Sequence, residues 1–385
     1  MALEPRKHFC HDIHSSLHMR WTENGWRTRP CCFSKAVSTH VDTSKRDWFG
    51  NLWPQLRVDN INDRPLDPRT CGACINDETV GKQSKRLGEI VKRGNQPDSV
   101  YTGPKYLEIT MEYTCNQACM ICRPDASSLW RKYAREGDFD IDLPRNSPVA
   151  TDTDIERFLD SVDMTNLDTI QIMGGEPLLT DRHTKLLSTM EHRGVDLSKI
   201  ELWYHTNGSC RVDEETLRLW RKFRLVIVYF SLDDTEQAFN YQRFPGDWAT
   251  VTGNMQWFRE HVSPNVLLRV ERTVGLLNAH RLNEVERWQS ENFADTKFGS
   301  QVELNTHMAF DTVFSMPNIS TAHLEFLRSD RENWGRLGTY YPVDDLVPND
   351  GCQDRVRRFV DDQDQRRQID IGTYFPEFRG FYSIR

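Results

Sequence analysis

The chain has 385 residues, 38% of them hydrophobic and 28% charged, with a formal net charge of −8. That composition is globular rather than disordered, and the length is ample for one large domain plus a smaller one. The acidic balance gives no electrostatic case for duplex nucleic acid. No apolar run reaches the roughly 18 residues of a spanning helix, and Met1 to Cys10 lacks the apolar stretch of a secretory signal, so a cytoplasmic, membrane-free protein is expected.

Three regions follow one another. Residues 1–100 are rich in Cys, Trp, His and Arg and poor in regular periodicity; they are expected to need something besides an apolar core to fix them, and metal clusters do that. This region holds Cys10, the pair Cys31-Cys32, and Cys71-Gly72-Ala73-Cys74 followed by Glu78, Gly81, Ser84 and Arg86. Without export, clustered cysteines point to metal ligation more than to disulfides. A C-x2-C with two further cysteines upstream is four-ligand arithmetic, and zinc and a 4Fe–4S cluster both accept four thiolates.

Residues 101–308 alternate short apolar runs with amphipathic stretches. The expected strands are Tyr106 to Met111, Thr169 to Met173, Leu202 to Thr206, Leu225 to Phe230, Val266 to Glu271 and Gln301 to Asn305. Helical spacing between them, as at Ile155, Phe158, Leu159 and Val162, predicts a parallel α/β sheet, open or closed into a barrel. In such sheets chemistry gathers at the C-terminal ends of the strands. Residues 309–385 read as one or two helices and an aromatic tail.

Motifs fall at those strand ends. After the first comes Cys115-Asn116-Gln117-Ala118-Cys119-Met120-Ile121-Cys122. Iron–sulfur clusters usually take four Cys thiolates, so three leave one iron open; a zinc site would accept the same residues. The second strand ends in Gly174-Gly175-Glu176-Pro177, where glycines allow close backbone approach and a carboxylate can accept from an ammonium. The later ends carry His205-Thr206-Asn207-Gly208, Ser231-Leu232-Asp233, then Tyr241-Gln242-Arg243-Phe244-Pro245, and Thr273 to Asn278. Singly, each is an ordinary turn, a helix cap or a surface ion pair.

In order, these motifs resemble the radical S-adenosylmethionine (SAM) superfamily, with Ile121 standing where the family usually has an aromatic residue. The resemblance implies a partial (β/α)6 barrel, with a 4Fe–4S cluster on Cys115, Cys119 and Cys122 and SAM on the fourth iron. It implies contacts to SAM from Gly174, Gly175, Glu176, Asn207, Ser231, Asp233, Arg243 and Asn278, with Glu176 at the amino group. The N-terminal cysteines resemble the auxiliary-cluster module called twitch or SPASM. Here that module precedes the barrel, as in twitch-containing proteins of phage and marine bacteria. It implies an auxiliary 4Fe–4S cluster on Cys10, Cys71, Cys74 and one of Cys31 or Cys32, with Cys32 preferred, although Gly25 lies one residue further from the pair than the usual pattern gives.

The implied chemistry is reductive cleavage of SAM to a 5′-deoxyadenosyl radical that abstracts a substrate hydrogen. It requires an electron donor such as flavodoxin or ferredoxin. The substrate is a peptide or protein, with a small molecule or nucleotide derivative as the alternative. A non-catalytic zinc or iron–sulfur scaffold is the contrasting class, and the open three-cysteine loop speaks against it. Cys210 and Cys352 read as packed thiols, with Cys210 near enough to a strand end to face substrate. No side chain is assigned a catalytic role.

Overall fold

The computed structural model describes residues 6–34, 39–45, 48–94, 102–134, 148–293, 305–308, 313–340, 343, 346–379 and 381–382. Among them, nine strands form one sheet: β1 (Ser16–Thr22), β2 (Gly25–Arg29), β3 (Thr39–His40), β4 (Tyr106–Thr110), β5 (Thr169–Met173), β6 (Glu201–Thr206), β7 (Leu225–Ser231), β8 (Val266–Val274) and β9 (Asn305–Met308). Their order is β3-β2-β1-β4-β5-β6-β7-β8-β9. β1 and β4 to β9 run parallel, and β2 and β3 extend the β1 edge antiparallel.

The middle of the chain is therefore the α/β sheet expected from its alternating pattern. Helices Asp152–Ser161, Arg182–His192, Glu214–Trp220, Trp248–His261 and Leu282–Asn292 connect its strands. The first opens on a capping box, with Thr151 accepting from the Asp154 N–H and Asp154 from the Thr151 N–H. Of the sixth expected strand, Asn305 opens β9, and Gln301 to Leu304 lie outside the described residues.

Residue alternation sets the two faces. Leu107, Ile109, Ile170, Ile172, Leu202, Val226, Leu268 and Val270 are fully buried against the helices. The intervening positions, among them Glu108, Gln171, Trp203, His205, Tyr229, Arg269 and Glu271, point to the other face and are partly exposed. A parallel sheet packed on both sides reads as a continuous apolar run. This alternation instead leaves one face polar and facing a cavity.

The N-terminal region corrects the expectation of irregularity. It adds the β1–β2 hairpin and helices Pro54–Ile61, Pro68–Thr79 and Lys85–Arg93. Trp26, Trp48, Phe49, Leu52 and Trp53 share one apolar core with Leu107, Ile109 and Phe158 of the sheet and its helices. Apolar burial of roughly 1.5–3 kcal/mol per large side chain thus helps anchor a region expected to need something besides an apolar core. Gly25, at φ +92°, closes the hairpin. A second core joins the three-cysteine loop (Ala118, Met120, Trp130) to the C-terminal helices through Phe314, Phe359, Val360 and Phe375. No helix among the described residues is long and apolar enough to cross a membrane.

Candidate functional site

The three-cysteine loop leaves the C-terminal end of β4 and is tied down at each step. Cys115 N–H donates to Ser128 Oγ (3.0 Å), Ser127 Oγ donates to the Gln117 carbonyl (2.6 Å), and Trp130 Nε1 donates to the Cys119 carbonyl (2.7 Å). The Tyr241–Pro245 segment lies alongside. Ala118 and Met120 N–H groups donate to the Phe244 and Gln242 carbonyls at 2.6 and 2.7 Å. Arg243, buried, sends its terminal nitrogen to 4.0 Å from Cys119 Sγ, and its Nε is 2.8 Å from Asp233 Oδ2.

Cys115 and Cys122 raise the pKa of Cys119, and Cys115 raises that of Cys122. Burial is the larger cause, and it pushes Cys122 up to about 12. Three neighbouring thiolates would therefore need a cationic partner, and binding a metal cluster would release their protons. Gln117 adds a buried amide nitrogen without a hydrogen-bond partner beside them. Among the described residues no three His, Cys, Asp or Glu side chains are arranged to hold a single metal ion. A tetranuclear cluster takes one thiolate per iron, and three thiols of one short loop beside the buried Arg243 guanidinium match that donor chemistry.

The Gly174-Gly175 turn at the end of β5 packs directly on the start of this loop. A Cβ on Gly175 would stand 2.4 Å from the Thr114 carbonyl oxygen, and one on Gly174 2.8 Å from that of Glu112. Only glycine permits that approach. Gly175→Ala is expected to cost about 1–3 kcal/mol through overpacking, read as a lowered melting midpoint; a variant melting with the wild type would contradict this packing.

Glu176 follows the Gly174-Gly175 turn. It is only 1% exposed. Its carboxylate accepts from Thr206 Oγ1 (2.7 Å), the Asn207 N–H (2.6 Å) and the Leu178 N–H (3.1 Å). Burial raises its pKa. Glu176 thus locks the β5 turn to the β6 turn and presents no exposed carboxylate. Asn207 continues the chain of contacts, its Nδ2 donating to Asn116 Oδ1 at 2.9 Å and standing 4.0 Å from Cys115 Sγ.

Asn278 is buried and hydrogen-bonded within the turn after β8. Its Nδ2 donates to the Asp233 and Thr273 carbonyls, and its Oδ1 accepts from the Gly275 N–H. Asp233 accepts from the Thr273 N–H and pairs with Arg243. Ser231, the last residue of β7, remains partly exposed. Cys210 is half-buried, with its thiol 3.5 Å from Ser209 Oγ.

A second cysteine group lies in the N-terminal region. One small cavity is lined by Cys10, Cys31, Cys71 and Cys74. Cys71 and Cys74 sit one turn apart on helix Pro68–Thr79, hence on one face. Cys31 enters the electrostatics of Cys10, Cys71 and Cys74. Cys32, the residue preferred from sequence, is not on this cavity wall; its thiol, pushed up to about 11 mainly by burial, neighbours Lys85, Cys31 and Glu108. Glu78, Ser84 and Arg86 meet behind the cavity. Arg86 donates twice to Glu78, Ser84 Oγ donates once, and Arg86 also reaches the Phe9 carbonyl at 3.0 Å.

Sequence reasoning missed two features. Arg367, from the C-terminal helix Asp350–Arg367, stacks 4.6 Å over Trp130 and 5.2 Å over Phe244, and reaches Met120 Sδ at 3.4 Å. No local signal marks a contact across that many residues. On the polar face of the sheet, Tyr106 donates to Gln171 Oε1, Gln171 Nε2 lies 2.7 Å from His205 Nε2, and His205 Nδ1 meets Glu271. His205 also stacks on Tyr229 at 4.9 Å. The period-two placement of these polar residues was the available signal.

No protein-family model matches the chain, and no curated protein does. Among solved structures, anSMEcpe with bound AdoMet aligns at 17% identity and a TM-score of 0.42, over 60% of this chain and 58% of that one. Streptococcus suis SuiB bound to precursor peptide SuiA aligns at 13% identity and 0.39, over 85% and 69%. TYW1 with a lysine-pyruvate adduct aligns at 14% identity and 0.32, over 60% and 74%. The chain thus spans less than two thirds of the anSMEcpe structure's length.

Proposed function

We propose that the chain is a radical SAM enzyme with two 4Fe–4S clusters. One observation carries this reading: the loop that bears Cys115, Cys119 and Cys122, the Gly174-Gly175 turn packed on it and Arg243 beside Cys119 come together at the C-terminal ends of the parallel strands. Cys115, Cys119 and Cys122 would hold the SAM-binding cluster; Cys10, Cys31, Cys71 and Cys74 would hold the auxiliary one. A reduced cluster of the first kind supplies the electron that cleaves the SAM sulfonium to methionine and a 5′-deoxyadenosyl radical.

The chain's own residues shape that site. The Gly174-Gly175 backbone offers close approach to the amino acid part of SAM. Glu176 and Asn207 fix the neighbouring turns, and Ser231 is left free to meet a ligand. Arg243 places positive charge beside Cys119 and favours its thiolate. Trp130 and Arg367 seal the loop from the C-terminal side, which keeps water from a reactive radical. The substrate is a peptide or protein in this reading, with an electron supplied by a flavodoxin- or ferredoxin-like donor.

The test is iron and acid-labile sulfide per chain after anaerobic reconstitution, followed by SAM and dithionite. About eight of each are expected, with 5′-deoxyadenosine as product. Zinc without sulfide, and no 5′-deoxyadenosine, would overturn the reading and leave a metal-bound scaffold.

A further inference from the structure

We propose that the inner face of the β1–β2 hairpin is an oxyanion-binding site, which takes a carboxylate or phosphate group of the substrate. The face borders a cavity of about 210 Å³ whose wall includes His18, Arg20, Arg29, Glu108, Tyr113 and Gly174. The same space therefore touches the hairpin, the Gly174 turn of the proposed SAM site and the segments on either side of the three-cysteine loop, at Tyr113 and Asp125. In this chain of net charge −8, the hairpin concentrates cations.

Strand register puts them side by side. Arg20 faces Arg27 directly across the β1–β2 pair, and His18 faces Arg29. Like charges directly opposite one another destabilise a strand pair, so this arrangement works against the fold unless something neutralises it. The protein supplies little that does. Arg20 is exposed and makes no hydrogen bond or salt bridge to a described residue. Arg27 has a buried Nε without a partner. Arg29 reaches Glu108 only at 3.8 Å, while His18 Nδ1 stands 3.0 Å from the same carboxylate. The His18 side chain is 2% exposed, and its Nε2 has no hydrogen-bond partner. Asp125, the other carboxylate on the wall, is held by Arg123 at 3.2 Å.

Arg20, Arg29 and the His18 imidazole thus share the Glu108 carboxylate, with Arg27 opposite Arg20. Guanidinium forks match the planar geometry of carboxylate and phosphate oxygens. An oxyanion seated between Arg20 and Arg29 would relieve the Arg20–Arg27 repulsion and place the rest of its molecule toward Gly174. The substrate role rests on the radical SAM reading; the anion site does not.

Equilibrium dialysis of the reconstituted full-length protein, without SAM, tests the site with two probes, inorganic phosphate and acetate. Saturable uptake of one probe is expected, and which one identifies the group. Arg20→Gln combined with Arg29→Gln should weaken it roughly tenfold or more, while Arg20→Lys with Arg29→Lys, which keeps the charge and loses the fork, should weaken it less. Should the Gln pair fail to fold, Arg20→Gln alone, at an exposed position, serves in its place. Saturable uptake of neither probe, or uptake unchanged in the Gln variants, overturns the proposal. Iron content and 5′-deoxyadenosine formation, measured on the same samples, report on the radical SAM reading separately.

Discussion

Cys119→Ala is expected to bring 5′-deoxyadenosine formation to background and iron from about eight to about four per chain, with the N-terminal iron retained. Cys119 is the most buried of the three loop cysteines, at 9% exposure. Its carbonyl accepts from Trp130 Nε1, its N–H lies in a loop held by Gln242 and Phe244, and its thiol faces Gln117 and Arg243. Alanine keeps every backbone contact and removes only the sulfur. Loss of activity would then come from the missing donor: with two thiolates the cluster lacks the three ligands that leave one iron open. Removing a single buried sulfur leaves only a small cavity, so folding should survive. Retained SAM cleavage would show that the loop does not carry the reactive cluster.

The strands of the middle region were legible because apolar residues recur at every second position, as at Leu107 and Ile109 or at Leu268 and Val270, and because turns rich in Gly, Asn and Asp bound them. The hairpin was not read as such, although Asn24-Gly25 between alternating residues is a strong hairpin signal. Its polar face hid the pattern: His18, Arg20, Arg27 and Arg29 are poor candidates for a sheet interior, and a cavity lies beside three of them, His18, Arg20 and Arg29. The Arg367 contact depends on long-range packing that local pattern does not encode. Glu176 and Asn278 illustrate a related limit. Motif position brought each to the right strand end, yet the direction of its side chain followed from backbone N–H and C=O groups that only the folded turns bring near.

Cys31→Ala and Cys32→Ala are expected to behave oppositely, although the two residues are adjacent and chemically identical. Cys31 lies on the wall shared with Cys10, Cys71 and Cys74 and interacts electrostatically with all three. Cys32 is not on that wall; burial is the main cause of its raised pKa, with Lys85, Cys31 and Glu108 contributing. Burial raises the pKa of Cys10, Cys71 and Cys74, so each thiolate depends on metal for its stability, and a site short of one ligand should bind its metal far more weakly. Cys31→Ala should therefore leave about four irons per chain, all on the Cys115 loop, and keep SAM cleavage; Cys32→Ala should keep about eight. The apolar anchoring of the hairpin through Trp26 and its neighbours predicts that Cys31→Ala still folds, read from its circular dichroism. Full iron in Cys31→Ala together with loss in Cys32→Ala would reverse the ligand assignment, and loss of all iron in either would show that the two cysteine groups are not independent.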